Sequence, residues 1–145
     1  MTKINRSALL PYRSEVIFDL VNDIESYPEY MDGCVGAEIL LRRETLMEAR
    51  LDLAKGGIAQ SFSTRNRLLG KEAITLELLD GPFEYFEGQW GFQSLGATAC
   101  KINLHLEFNI NSAVLGVAAA KLFELVTNNL VDALGKRAGQ VYGQD

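Results

Sequence analysis

Lys101-Ile102-Asn103-Leu104-His105-Leu106-Glu107-Phe108-Asn109-Ile110 is the stretch that decides the fold. Ile102, Leu104, Leu106, Phe108 and Ile110 share one parity, and Lys101, Asn103, His105, Glu107 and Asn109 share the other. So regular a period of two predicts a strand with one buried face and one wet face, hence an antiparallel sheet. Phe86, Gly88, Trp90 and Phe92 continue the buried face on the preceding strand. Met47, Ala49, Leu51 and Leu53 repeat it upstream, alternating with Glu48, Arg50 and Asp52. Turn signals at Asp32-Gly33, Lys55-Gly56-Gly57, Gly70-Lys71, Asp80-Gly81-Pro82 and Gly96-Ala97 recur at hairpin spacing. With a first strand from Thr2 to Leu10, stopped by Pro11, the sheet is expected to hold about seven strands.

The flanking segments carry a helical period instead. Ser14 is a plausible N-cap, and Val16, Ile17, Leu20, Val21 and Ile24 fall on one helix face. Ser26 and Pro28 interrupt that helix and predict a second short one through Tyr30. Beyond Ile110, Asn111 or Ser112 caps a helix whose apolar stripe is Leu115, Ala118, Ala119, Leu122, Val126, Leu130, Ala133 and Leu134. Run to Tyr142, it would measure about 46 Å. Gly135 and Gly139 each cost about 1 kcal/mol in a helix interior and predict fraying of the last turns. The expected architecture is α+β: a curved antiparallel sheet, two short helices after strand 1, and one long C-terminal helix on the concave face. No linker, repeat or low-complexity stretch divides residues 1–145, so a single domain is expected.

Composition narrows the function classes. Apolar residues make up 48% and charged ones 23%, an ordinary globular balance. The longest small, apolar run, Val114 to Ala120, is far short of the roughly 20 residues that span a bilayer, so membrane contact is expected to be peripheral at most. Met1 to Glu15 has no apolar core and carries Lys3, Arg6 and Arg13, unlike a signal peptide. Cys34 and Cys100 lack metal-type spacing, and a reduced cytoplasmic compartment is expected. The net charge of −5 argues against DNA as a partner. That charge is uneven: residues 42–71 hold seven basic and three acidic groups, against seven and sixteen elsewhere. Arg42, Arg43, Lys55, Arg65, Arg67 and Lys71 are the group that would meet a phosphate backbone if one were a partner, since Lys and Arg release counterions from phosphate. Two solvated faces of opposite sign explain the same pattern without a partner.

Inside, the signals point to binding rather than chemistry. Gln60, Thr64 and Asn66 share a parity with Phe62, and could orient a ligand carbonyl or simply bond one another. Phe18, Phe86, Trp90 and Phe92 face the interior, where core packing is the ordinary explanation. Tyr27-Pro28 and Phe83 stand in connecting segments, where aromatics suit the rim of a cavity. On the long helix Leu115, Ala119, Leu122 and Val126 face the sheet. The small residues Gly116, Ala118, Ala119 and Ala120 explain either close helix–sheet approach or room for an apolar ligand. His105, the only histidine, takes the wet parity. Neither a metal-ligand set nor a catalytic residue emerges, and phosphate-loop or nucleophile-elbow patterns are missing from the sequence. A cyclase on this architecture would need titratable groups inside, and none is expected there.

One family shares these motifs. Ser7-Ala8-Leu9-Leu10-Pro11-Tyr12, Leu20 to Pro28, Gly33-Cys34 and Thr64-Arg65-Asn66 match it, as do Asp80-Gly81-Pro82-Phe83, Gly88-x-Trp90-x-Phe92 and Asn129-Leu130-Val131. Together they resemble the bacterial coenzyme Q-binding START-domain proteins, a polyketide cyclase-like family, over essentially the whole chain. The resemblance implies a START-like helix-grip fold. It also implies binding of ubiquinone or a related polyprenyl lipid in support of respiration, with no other cofactor required. A toxin branch of the family, described as binding the large ribosomal subunit and blocking its joining to the small one, supplies the alternative, in which Arg42, Arg43, Lys55, Arg65, Arg67 and Lys71 would contact ribosomal RNA. By position, Tyr27, Pro28 and Cys34 carry over to the family's gate segment. Tyr30, Met31 and Asp32 depart from its usual Phe, Leu and Pro.

Overall fold

The alternating segments form seven strands of one antiparallel sheet in a computed structural model that describes residues 2–110 and 112–142, the side chains of 112–116 excepted. The strands are β1 (Thr2–Leu10), β2 (Cys34–Arg42), β3 (Leu46–Lys55), β4 (Ile58–Leu69), β5 (Ala73–Asp80), β6 (Phe83–Ser94) and β7 (Cys100–Ile110). Their spatial order is β1-β7-β6-β5-β4-β3-β2. Each neighbour is sequential except β1, which pairs with β7 at the opposite edge from β2. The helical insert between β1 and β2 carries the chain from one edge to the other.

The period of two does what it should. Ile102, Leu104, Leu106 and Phe108 are buried, while His105 lies on the wet face beside Asn5 and Glu107. Lys55 pairs with Ile58, so Gly56 and Gly57 alone make the β3–β4 turn, with φ of +62° and +85°. Two consecutive positive φ angles define the hairpin turn whose twist matches its flanking strands.

The insert differs from expectation in detail. α1 (Ser14–Asn22) is capped at Arg13 without a side-chain bond, and the Ser14 hydroxyl donates to Glu15 instead. Ser14 already lies in the first helical turn, too late to cap it. The helix ends before Ile24, because the Asp23 N–H bonds Leu20 in a tightened last turn. A 3₁₀ helix, Ile24–Glu29, follows and accommodates Pro28. Phe83, expected in a connection, is the first residue of β6.

The long helix, α2 (Ser112–Tyr142), runs 31 residues and passes both glycines unbroken. Gly135 lies against β1: a Cβ there would stand 3.6 Å from Leu10, ordinary contact. The buried stripe is rotated from the expected one. It comprises Ala119, Leu122, Phe123, Val126, Thr127, Val131, Leu134 and Ala138, with Ala118 exposed. Leu115 and Gly116 lie outside the described side chains.

One close approach fixes the helix against the insert. Gly33 has φ +88°, and a Cβ on it would sit 2.7 Å from Val126 Cγ2. Gly33→Ala is therefore expected to combine left-handed strain with overpacking and to lower stability by about 2 kcal/mol or more. Gly56→Asn, with open space around it and a turn that tolerates Asn, should stay within about 0.5 kcal/mol. Urea unfolding of the two variants checks the contrast.

Candidate ligand cavity and surface charge

The sheet curves around α2, but most of the space between them is filled. Phe123 projects from the helix into a cluster of phenylalanines, with ring centroids 4.7 Å from Phe108, 4.9 Å from Phe83 and 5.2 Å from Phe62. Edge-to-face rings at these separations each add about 0.5–1.5 kcal/mol beyond their burial. Beside the cluster remains a cavity of about 80 Å³. Leu51 and Leu53 of β3, Leu104 and Leu106 of β7, and Val126 and Leu130 of α2 make most of its wall apolar.

Tyr27, Phe62, Thr64, Phe86, Trp90 and Val126 line this cavity, as do Asn66, Cys34 and Met31. Phe18 and Phe92 do not: they pack edge to face at 5.3 Å beneath α1. Pro28 lies half-buried in the 3₁₀ helix, and Phe83 is absorbed in the aromatic cluster. Ala119 and Leu122 are buried on α2 but face other parts of the core. The space is thus left by the middle of α2, not by its small-residue first half. Phe123 and Thr127 escaped the sequence reading. The signal was there, since Ala119, Phe123, Val126 and Leu130 keep helical spacing.

The polar lining is sparse. Thr64 donates to Asn66 Oδ1 at 2.8 Å, and both residues line the cavity. Gln60 is elsewhere, and its Nε2 donates to the Ser61 carbonyl. Thr127 is consumed by its own helix, donating to the carbonyl of Phe123 at 2.8 Å. Two titratable groups do face the interior, contrary to expectation. The Tyr27 hydroxyl donates to the Val21 carbonyl, and the Cys34 thiol to Gly36. Burial pushes both upward in pKa, so both are neutral near pH 7. Cys34 departs from its ordinary value of 9.0 despite the opposing backbone hydrogen bond.

The basic residues of 42–71 meet acids almost one for one. Arg65 bonds Glu48 at 2.9 Å, Arg67 bonds Glu77, Lys55 bonds Asp32, and Lys71 bonds Asp19 at 3.1 Å. Among the described residues, only Arg42 and Arg43 of the candidate RNA set form no ion pair. Both are exposed where β2 turns into β3. Elsewhere on the convex face Glu77, Glu87 and Glu107 stand directly opposite one another on β5, β6 and β7. Among the described residues no group of three or more His, Cys, Asp or Glu could hold a metal, and no helix is long and apolar enough to cross a membrane.

The buried thiols and phenols set the alkaline response. Raised in the folded state, they favour the protonated form, so their contribution is complete below the ordinary thiol value of 9.0 and fades as pH rises past it. The urea midpoint is expected to fall between about pH 8 and about pH 10.5. Cys34 and Cys100 should react with a thiol reagent at about pH 8 only after unfolding.

Known proteins fit this geometry. A family described as "Polyketide cyclase / dehydrase and lipid transport" matches residues 10–134. The Ribosome association toxin RatA of Pseudomonas aeruginosa is 44% identical over 142 residues, covering 98% of this chain and 99% of that one. The mitochondrial Coenzyme Q-binding protein COQ10 homolog B of Xenopus laevis is 22% identical, covering 97% of this chain and 59% of its own length. A START superfamily protein from Mycobacterium smegmatis superposes with a TM-score of 0.79 over 96% of this chain and 98% of that chain, at 24% identity. A sheet gripping one long helix, recognised along nearly the whole sequence, leaves a single assignment: the chain belongs to the polyketide cyclase / dehydrase and lipid transport family, with a START-like helix-grip fold.

Proposed function

We propose that this chain is a non-catalytic ribosome-association protein, which binds the large subunit and limits its joining to the small one in the cytoplasm. Full-length identity of 44% to the Pseudomonas toxin named for that activity carries the reading. The surface narrows where contact would occur. A cation already paired with a neighbouring carboxylate releases fewer counterions when it meets phosphate. Lys55, Arg65, Arg67 and Lys71 are so paired, which leaves Arg42 and Arg43 as the leading contacts. Exposed Leu40 and Leu69 flank them, and Arg43 and Leu69 share one shallow depression.

Expression at levels matching the ribosome should shift sucrose-gradient profiles from joined ribosomes to free subunits. Arg42→Glu combined with Arg43→Glu should restore the joined peak, with folding intact by circular dichroism. An unchanged profile for the unmodified protein would remove the reading.

A second reading is favoured by the apolar cavity with Thr64 and Asn66 at its wall: an interior hydrophobic ligand such as a polyprenyl quinone, as a support to respiration. It uses the inside of the molecule and is compatible with the first. Apolar burial yields about 25 cal/mol per Å², so a few hundred Å² of tail suffice for micromolar binding after association costs. At about 80 Å³ the cavity is smaller than the roughly 150 Å³ that admits benzene, so a quinone ring enters only by moving Phe123 or α2. Solvent extraction of the purified protein is expected to release a polyprenyl quinone, and an extract free of lipid would count against this reading. Phe123→Ala should cost about 3–5 kcal/mol in urea unfolding and increase uptake of benzene-sized probes.

A further inference from the structure

The interior cavity has a neighbour that shares its wall. Met31 and Val126 line both the cavity and a groove of about 400 Å³ between residues 29–32 and the C-terminal half of α2. These two side chains form the partition between the spaces, and methionine is among the most adaptable side chains for such a place. Because Gly33 carries no Cβ, Val126 reaches this position at all.

The groove is polar where the cavity is not. Tyr30, Asn129, Lys136 and Arg137 contribute to its walls. Two polar atoms there are buried without a partner, the Tyr30 hydroxyl and Arg137 Nε. The guanidinium lies 5.1 Å from the centre of the Tyr30 ring and uses Nη2 to donate to Glu29 at 3.0 Å, so Nε remains unspent. Each buried donor left unbonded costs about 1–3 kcal/mol, and such groups are rare in folded proteins. Three carboxylates border the groove, and each is already engaged: Glu29 by Arg137, Asp32 by Lys55, and Asp132 by Arg6. Lys136 has no ion pair among the described residues. Donors therefore exceed free acceptors, and burial of the Tyr30 phenol keeps its proton in place.

We infer that this groove is the head site of an amphiphile whose apolar part passes between Met31 and Val126 into the cavity, and whose head presents acceptor oxygens, carbonyl or carboxylate, to Tyr30 and Arg137. The inference rests on the interior-ligand reading above and specifies its polar end. The Asn66 amide, on the cavity side, would then meet a second acceptor only on a ligand whose oxygens extend past the partition.

Trp90, the only tryptophan, lines the cavity and reports arrival of a tail by quenching. The experiment titrates the whole protein with decylubiquinone, a brominated decanoate and headless bromodecane. All three should quench Trp90. Tyr30→Phe and Arg137→Gln should each weaken a headed probe by about tenfold, the size of one lost hydrogen bond, and leave bromodecane unchanged. Whether the quinone or the carboxylate probe loses affinity identifies the head. Quenching by all probes with no effect of either variant, or an equal loss for bromodecane under Tyr30→Phe, overturns the head site and spares the cavity. Failure of every probe to quench overturns the interior-ligand reading and this inference with it. Tyr30→Phe removes one oxygen, and so decides the matter if Arg137→Gln loosens α2.

Discussion

Everything in this molecule depends on how one helix of 31 residues is held against a curved sheet. The hold is aromatic. Phe123 reaches down between Phe62, Phe83 and Phe108, which come from three different strands, and thereby ties α2 to β4, β6 and β7 at one point. Surface ion pairs supplement it: Arg6–Asp132 links β1 to α2, and Arg137–Glu29 links α2 to the 3₁₀ helix. Exposed pairs of this kind are each worth at most about 1 kcal/mol, so they orient the helix more than they hold it. The apolar wedge sets how much interior is left over, and it leaves little.

That arrangement divides the interior into unlike halves. Around Phe123 the core is close-packed and rigid. Toward the 3₁₀ helix it thins to leucines, Val126 and Met31, with Thr64 and Asn66 bonded to each other at the wall. Phe123 and Phe62 belong to both halves, so filling the thin one displaces the wedge. A ligand held in the thin half would press on the loop carrying Gly33 and on the middle of α2, the same elements that face solvent across the groove. Cavity and groove are therefore connected through a few side chains, without involvement of the sheet.

The sheet was legible in the sequence because one side of every strand is wet, so burial and charge alternate visibly through β3, β6 and β7. The boundaries of α2 were legible for a similar reason, yet its rotation was not. Leucine and alanine occur on several faces of this helix, and only Phe123 breaks the tie; reading small residues as a cavity floor hid it. The candidate lining divided along the same line. Tyr27, Phe62, Trp90 and Val126 face the cavity, while Phe18 packs on Phe92 and Phe83 joins the cluster around Phe123, because parity tells which face a side chain takes but not which neighbour it meets. The basic segment misled for a different reason. Its partners lie on adjacent strands or on the distant helical insert, as with Lys71 and Asp19 of α1, so charge counted along the chain overstated charge in space.

The carboxylates of Glu77, Glu87 and Glu107 face one another across three successive strands, a juxtaposition that costs stability where hydrogen-bonded strands bring like charges together. Arg67 beside Glu77 and Lys3 beside Glu107 offset the two ends of the row, so Glu87 at its centre carries most of the charge a polyanion would meet there. The far corner, with Arg42 and Arg43, attracts it. A polyanion would thus meet a molecule with a bow and a stern, turned by its own field before contact, and the angle of landing would be settled while the two surfaces were still separated by solvent.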